Sequence, residues 1–163
     1  MNDTPDIERQ LLAYHEAGHA VIAWARSVRL RSVQLHEDSG LSVDAQHFLM
    51  YDPVTMSASQ WQHAKTKALI LLAGEAAERG FQDLHGACVE GDWAESDRQE
   101  FDSLIEDLFG DEGPVAAFSR PALVREVDCL IEENWGRIEK LAAALIERRH
   151  LTGAEAEAII ASS

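Results

Sequence analysis

Cysteine is scarce in this chain: Cys88 and Cys129 are the only two, they lie far apart, and they form no C-x-x-C pair. That excludes a disulfide-stapled scaffold, a thioredoxin-like redox motif and a structural zinc knuckle, and suits buried or semi-buried thiols in a reducing compartment. Long apolar runs are missing as well. The longest, Ala68 to Gly74, falls far short of the ~20 residues that a bilayer demands. The start, Met1-Asn2-Asp3-Thr4-Pro5-Asp6, lacks the basic residues and apolar core of a secretion signal. No membrane segment is expected, and the expected location is the cytoplasm. Positive charge is the third shortage. Only 14 Lys and Arg stand against 29 Asp and Glu, a formal net charge of −15. The basic stripe required by a phosphate backbone is absent, so no nucleic-acid partner is expected.

What remains is globular. A length of 163 residues, with 46% apolar and 26% charged residues, provides a core without staples and fits one domain over residues 1–163. No internal repeat or low-complexity tract divides it. The acidic surplus reads first as a solvated surface.

The most informative stretch is His15-Glu16-Ala17-Gly18-His19, an H-E-x-x-H pentapeptide inside a helix-compatible run from about Ile7 to Arg26. Residues four apart on a helix share a face, so His15 and His19 can point two imidazoles at one metal ion. Glu16 falls beside that ion rather than on it, where its carboxylate can take a proton from a metal-bound water. Zinc (Zn2+) is the expected ion, because two imidazoles plus one further donor leave the fourth tetrahedral position open. Around the motif, Leu11, Leu12, Ala17, Ala20, Val21, Ile22 and Trp24 are the apolar surroundings of a buried helix. Gly18 costs about 1 kcal/mol relative to Ala in a helix interior, which predicts a close approach by another backbone or by a substrate.

Downstream, residues 32–36 and 41–48 alternate with period two around Asp38-Ser39-Gly40, which predicts a small antiparallel hairpin. Such a hairpin either covers the core or offers an edge to an extended peptide. Ser57 or Ser59 caps a long helix reaching Arg79, with Trp61, Ala64, Ala68, Leu71 and Leu72 as its apolar stripe and Gly80 as its stop. Nothing marks His63 or Glu78, on the same element, as a ligand. Ser96-Asp97-Arg98-Gln99 reads as a capping box opening a helix with Phe101, Leu104, Ile105 and Leu108 inward. Asp97 then stands in a first turn, where the helix dipole alone stabilises a carboxylate by about 0.3–1 kcal/mol. Residues 110–121 read as a linker. From Ala122 to about Arg149 a long helix is expected, with Val124, Ile131, Ile138 and Leu145 seven residues apart as a seam against the domain or a sister subunit. Thr152-x-x-Glu155 caps a short terminal helix.

Taken together these segments resemble the peptidase domain of the FtsH family of zinc metalloproteases. The resemblance rests on Ala13-Tyr14-His15-Glu16-Ala17-Gly18-His19-Ala20, on Leu72-Ala73-Gly74-Glu75-Ala76-Ala77-Glu78, and on Leu141-Ala142-x-Ala144-Leu145 with Leu151-Thr152-Gly153. It spans nearly the whole chain in order. It implies a mainly α fold, a helical zincin with a small antiparallel β-hairpin or sheet near the active-site helix. It also implies His15, His19 and Asp97 as zinc ligands, with Glu16 as catalytic base. The pattern departs at the third ligand: in the family a glycine precedes the aspartate by four positions, whereas Gly91 precedes Asp97 by six and Glu95 by four. Asp97 is preferred for the helix that follows it, with Glu95 and Asp92 as alternates.

FtsH proteins carry a nucleotide-driven unfoldase and a membrane anchor, yet this chain contains no G-x-x-x-x-G-K-[ST] loop and no spanning segment. The expected function is a zinc-dependent endopeptidase acting on flexible or unfolded protein without its own ATPase. The alternative is an inactive metal-binding interaction or regulatory module. Expected partners are a protein or peptide substrate and either a homo-oligomer or a separate ATPase. His36, His47 and His85 are the candidates for an oxyanion helper.

Overall fold

Every side chain from Leu11 to Ala23 except Tyr14 is buried, so helix α1 (Thr4–Ala25) is enclosed by its neighbours on nearly all sides. The computed structural model of the chain describes residues 4–35, 56–87 and 92–162. The main neighbour of α1 is α2 (Ala58–His85). The two cross at Gly18, where a Cβ would stand 2.7 Å from the Ala73 carbonyl oxygen and from the Ala77 Cβ. The close approach predicted from this glycine is therefore made by a helix backbone.

Ser57 caps α2 through a box with Gln60, as the sequence indicates. The helix runs through Gly80 and ends at Gly86, which has a left-handed φ of +62°. Gly80 is not a stop; its missing side chain makes room for the Trp135 ring, whose Cζ3 would be 2.7 Å from a Cβ. A second correction concerns the start of α3 (Glu95–Phe109). Its N-cap is Ala94, with no side-chain cap. Ser96 already lies inside the first turn, and Gln99 donates to Glu95 at 3.2 Å instead of closing a box. The inward stripe of α3 is Ala94, Phe101, Leu104 and Leu108, all buried, and Asp97 occupies the same stripe.

The segment expected as a linker contains two short 3₁₀ turns, Gly110–Glu112 and Ala116–Phe118. Phe118 is buried against Trp61 and Phe109, with ring centroids 5.5 and 5.3 Å away. Pro121 belongs to the first turn of α4 (Arg120–Glu133), where its missing N–H costs nothing. The long helix expected over 122–149 is two helices. Asn134 separates α4 from α5 (Trp135–Arg148), and its Nδ2 donates to the Leu130 carbonyl at 2.8 Å. The seven-residue spacing continues across the break because Ile131, Ile138 and Leu145 all enter the same core. The helices nevertheless serve different partners, α4 packing chiefly on α2 and α5 on α1.

Among the described residues the fold is mainly helical with one small sheet. β1 (Ser32–Gln34) pairs antiparallel with β2 (His150–Thr152), setting Val33 opposite Leu151, and both side chains are fully buried. The first strand of the expected hairpin is thus present, but its described partner comes from the other end of the chain. The expected second strand, residues 41–48, lies outside the described residues. Thr152 and Glu155 form the expected box at the start of α6 (Gly153–Ala161). Cys129 is exposed, contrary to expectation, and Cys88 lies outside the described residues. No helix among the described residues is long and apolar enough to cross a membrane.

Candidate metal centre

α1 presents His15 and His19 on one face toward α2, as their spacing requires. Both are buried, at 3% and 7% exposure. α2 meets them with Gly74: a Cβ there would lie 2.5 Å from His15 Cε1 and from His19 Nε2, so only glycine leaves space for the rings. α3 supplies Asp97 from its inward stripe. His15 Nε2, His19 Nε2 and Asp97 Oδ2 form a triangle with every side 3.0 Å. Among the described residues this is the one cluster of His, Cys, Asp and Glu that could hold a metal ion.

The second nitrogen of each ring fixes its tautomer. His19 Nδ1 lies 2.6 Å from the Ile70 carbonyl oxygen, which can only accept, so Nδ1 bears the proton. His15 Nδ1 likewise meets the Glu78 carboxylate, a residue 9% exposed. In the neutral rings both Nε2 atoms are therefore bare lone pairs, and they face each other and a carboxylate oxygen. Three acceptors at this spacing require something positive among them. Donors on a tetrahedral zinc with bonds of about 2.0–2.1 Å stand about 3.3–3.4 Å apart, so the triangle fits such an ion to within a few tenths of an ångström.

Without an ion, a proton takes that place. Burial opposes charge on His15, but its hydrogen bonds to Asp97 and Glu78 and the adjacent Glu16 charge prevail and raise its pKa to about 10. Burial also opposes charge on Asp97, and the hydrogen bonds from His15 and His19 outweigh it, holding the carboxyl well below the usual range. Glu16 is 1% exposed and its Oε1 lies 3.9 Å from His15 Nε2, beside the triangle and outside it.

The alternates to Asp97 are turned elsewhere. Glu95 is exposed and accepts from Gln99, and Asp92 is exposed and pairs with Arg98. Of the other histidines, His85 stacks on Phe81 at the end of α2 with centroids 4.4 Å apart, and His63 is exposed. His36 and His47 lie outside the described residues. Sequence reasoning missed Glu78 and Gly74. The usable signal was their helical phase: with Ile70 they recur four apart, as a face of α2 turned toward α1 must. No family model and no curated protein matches the chain.

Proposed function

We propose that this chain is a zinc-dependent endopeptidase related to FtsH peptidase domains, hydrolysing peptide bonds in flexible or unfolded protein. The observation that carries the reading is the joint placement of the three-donor triangle and the buried Glu16 carboxylate at its side. A metal site alone has no need of that carboxylate; water activation does.

His15 Nε2, His19 Nε2 and Asp97 Oδ2 would hold the ion, their rings fixed from behind by Glu78 and the Ile70 carbonyl. When bound, zinc supplies Lewis acidity, lowering the pKa of water toward about 7 and polarising a carbonyl. Glu16 accepts a proton at its carboxylate from the water that attacks the scissile carbonyl. It then delivers that proton to the departing amine nitrogen, so the group ends the cycle ionised as it began. The Asp97 side chain is 19% exposed against 4% and 9% for the histidines, which makes its side the approach for solvent and substrate.

Glu16→Gln is the test. It is expected to retain zinc and to cleave an unstructured protein such as denatured casein about 10²-fold or more slowly than wild type. Equal cleavage by both proteins would remove Glu16 from the mechanism. Zinc uptake by wild type with no cleavage of any unfolded substrate would make the chain a metal-binding module.

A further inference from the structure

Asp97 reaches the triangle from a helix whose first turn has weak local support. Ala94 offers no capping side chain, and the first large side chain that α3 buries is Phe101, a turn beyond Asp97. The histidines are held from behind at Nδ1, whereas Asp97 depends on where α3 sits. Directly after it comes Arg98. Its Nη1 donates to Glu75 on α2 at 3.3 Å, and its Nη2 donates to Asp92, ahead of α3. Glu75 is the chain neighbour of Gly74, the residue beneath the rings. The guanidinium therefore links three places at once: the turn carrying Asp97, the helix turn beneath the histidines, and the chain leading into α3.

We propose that Arg98 is a positioning residue for the metal centre, clamping the first turn of α3 to α2 so that Asp97 Oδ2 stays in register with the two Nε2 atoms. The inference rests on the metal reading above and concerns a residue outside the donor set. Arg98 suits the task because a planar fork can satisfy two carboxylates in fixed directions, which an ammonium on a flexible stem cannot. The pair is partly exposed, with side chains 32% and 33% accessible, so its contribution to global stability is small. Its effect falls on geometry. α2 and α3 are also joined by Lys67 and Glu100 at 2.9 Å, a bridge of the same kind that involves neither neighbour of the site. That bridge is the internal control.

The experiment measures zinc affinity by competition with a chromophoric chelator, and the visible absorption of the cobalt-loaded protein as a report on ligand geometry. Wild type, Arg98→Ala, Arg98→Lys, Glu75→Gln and Lys67→Ala are compared at low and high salt. Arg98→Ala should weaken zinc binding by about 10-fold or more and alter the cobalt spectrum, in the range found when groups that orient ligands are removed. Arg98→Lys should recover part of the loss, and Glu75→Gln should weaken binding with Arg98 intact. Lys67→Ala should stay within about twofold of wild type. Thermal unfolding of the metal-free proteins identifies any variant that fails to fold, and Glu75→Gln keeps the question answerable if Arg98→Ala does. Wild-type affinity in both Arg98→Ala and Glu75→Gln, or equal losses in Arg98→Ala and Lys67→Ala, overturns the inference alone. A wild type that takes up no zinc overturns the metal reading and this inference with it.

Discussion

Glu78 on α2 accepts a hydrogen bond from Nδ1 of His15, a residue 63 positions earlier on α1. This contact fixes which nitrogen of the ring is bare, and it places a negative charge behind a candidate ligand, which raises the basicity of the bare nitrogen. Glu78→Gln keeps an acceptor but removes the charge. It should weaken zinc binding by about 10-fold, and Glu78→Ala by up to about 100-fold, both measured by chelator competition. Unchanged affinity in the alanine variant would show that the ring needs no such support.

Two helical glycines, one beneath the site and one remote from it, make opposite predictions. At Gly74 an added Cβ meets both imidazoles at 2.5 Å, so Gly74→Ala should abolish zinc uptake and destabilise the fold by about 1–3 kcal/mol through overpacking. At Gly136, exposed in α5, a Cβ meets nothing within 4 Å. Gly136→Ala should leave zinc binding unchanged and raise stability by up to about 1 kcal/mol, because the unfolded chain loses freedom. Denaturant unfolding and metal titration of the two variants check the contrast.

Protons and metal compete for His15. Its pKa in the metal-free fold is raised to about 10 from 6.5. The resulting stabilisation is fully present below pH 6.5 and is lost as pH rises through about 10. Over the same window zinc must displace a proton from the ring, so apparent affinity should rise with pH, approaching tenfold per unit where one proton is released. Calorimetric titration in two buffers of different ionisation enthalpy should detect that proton at pH 7. Proton-neutral uptake would mean that His15 is already deprotonated.

The parts of the site readable in the sequence are those that lie close together along the chain. His15, Glu16 and His19 follow from helical spacing, and Gly18 announced a contact by the cost of its presence. Asp97 was reachable only through the family resemblance, which left Glu95 and Asp92 as alternates and preferred 97 for the apolar spacing of Phe101 and Leu104 after it. In the structure 97 lies on the buried stripe of α3 and 95 is exposed. Glu78 and Gly74 were hidden for the opposite reason: an acidic residue and a glycine in a long helix declare nothing until the partner helix is in place. The sheet was obscured similarly, since β1 and β2 are three residues each and pair across most of the chain. The split at Asn134 was masked by a periodicity that serves one shared core from two helices.

Gly18 on α1 and Gly74 on α2 each stand where the opposite helix comes nearest, one against the Ala73 carbonyl and the other beneath the rings. Two unlike requirements, close seating of one rod on another and clearance for a pair of imidazoles, are thus met at a single crossing. The clearance left for the rings is consequently tied to how closely α1 seats on α2. Enlarging either glycine would widen the crossing and draw His15 and His19 on α1 away from Asp97 on α3, so donor spacing follows helix spacing in this molecule.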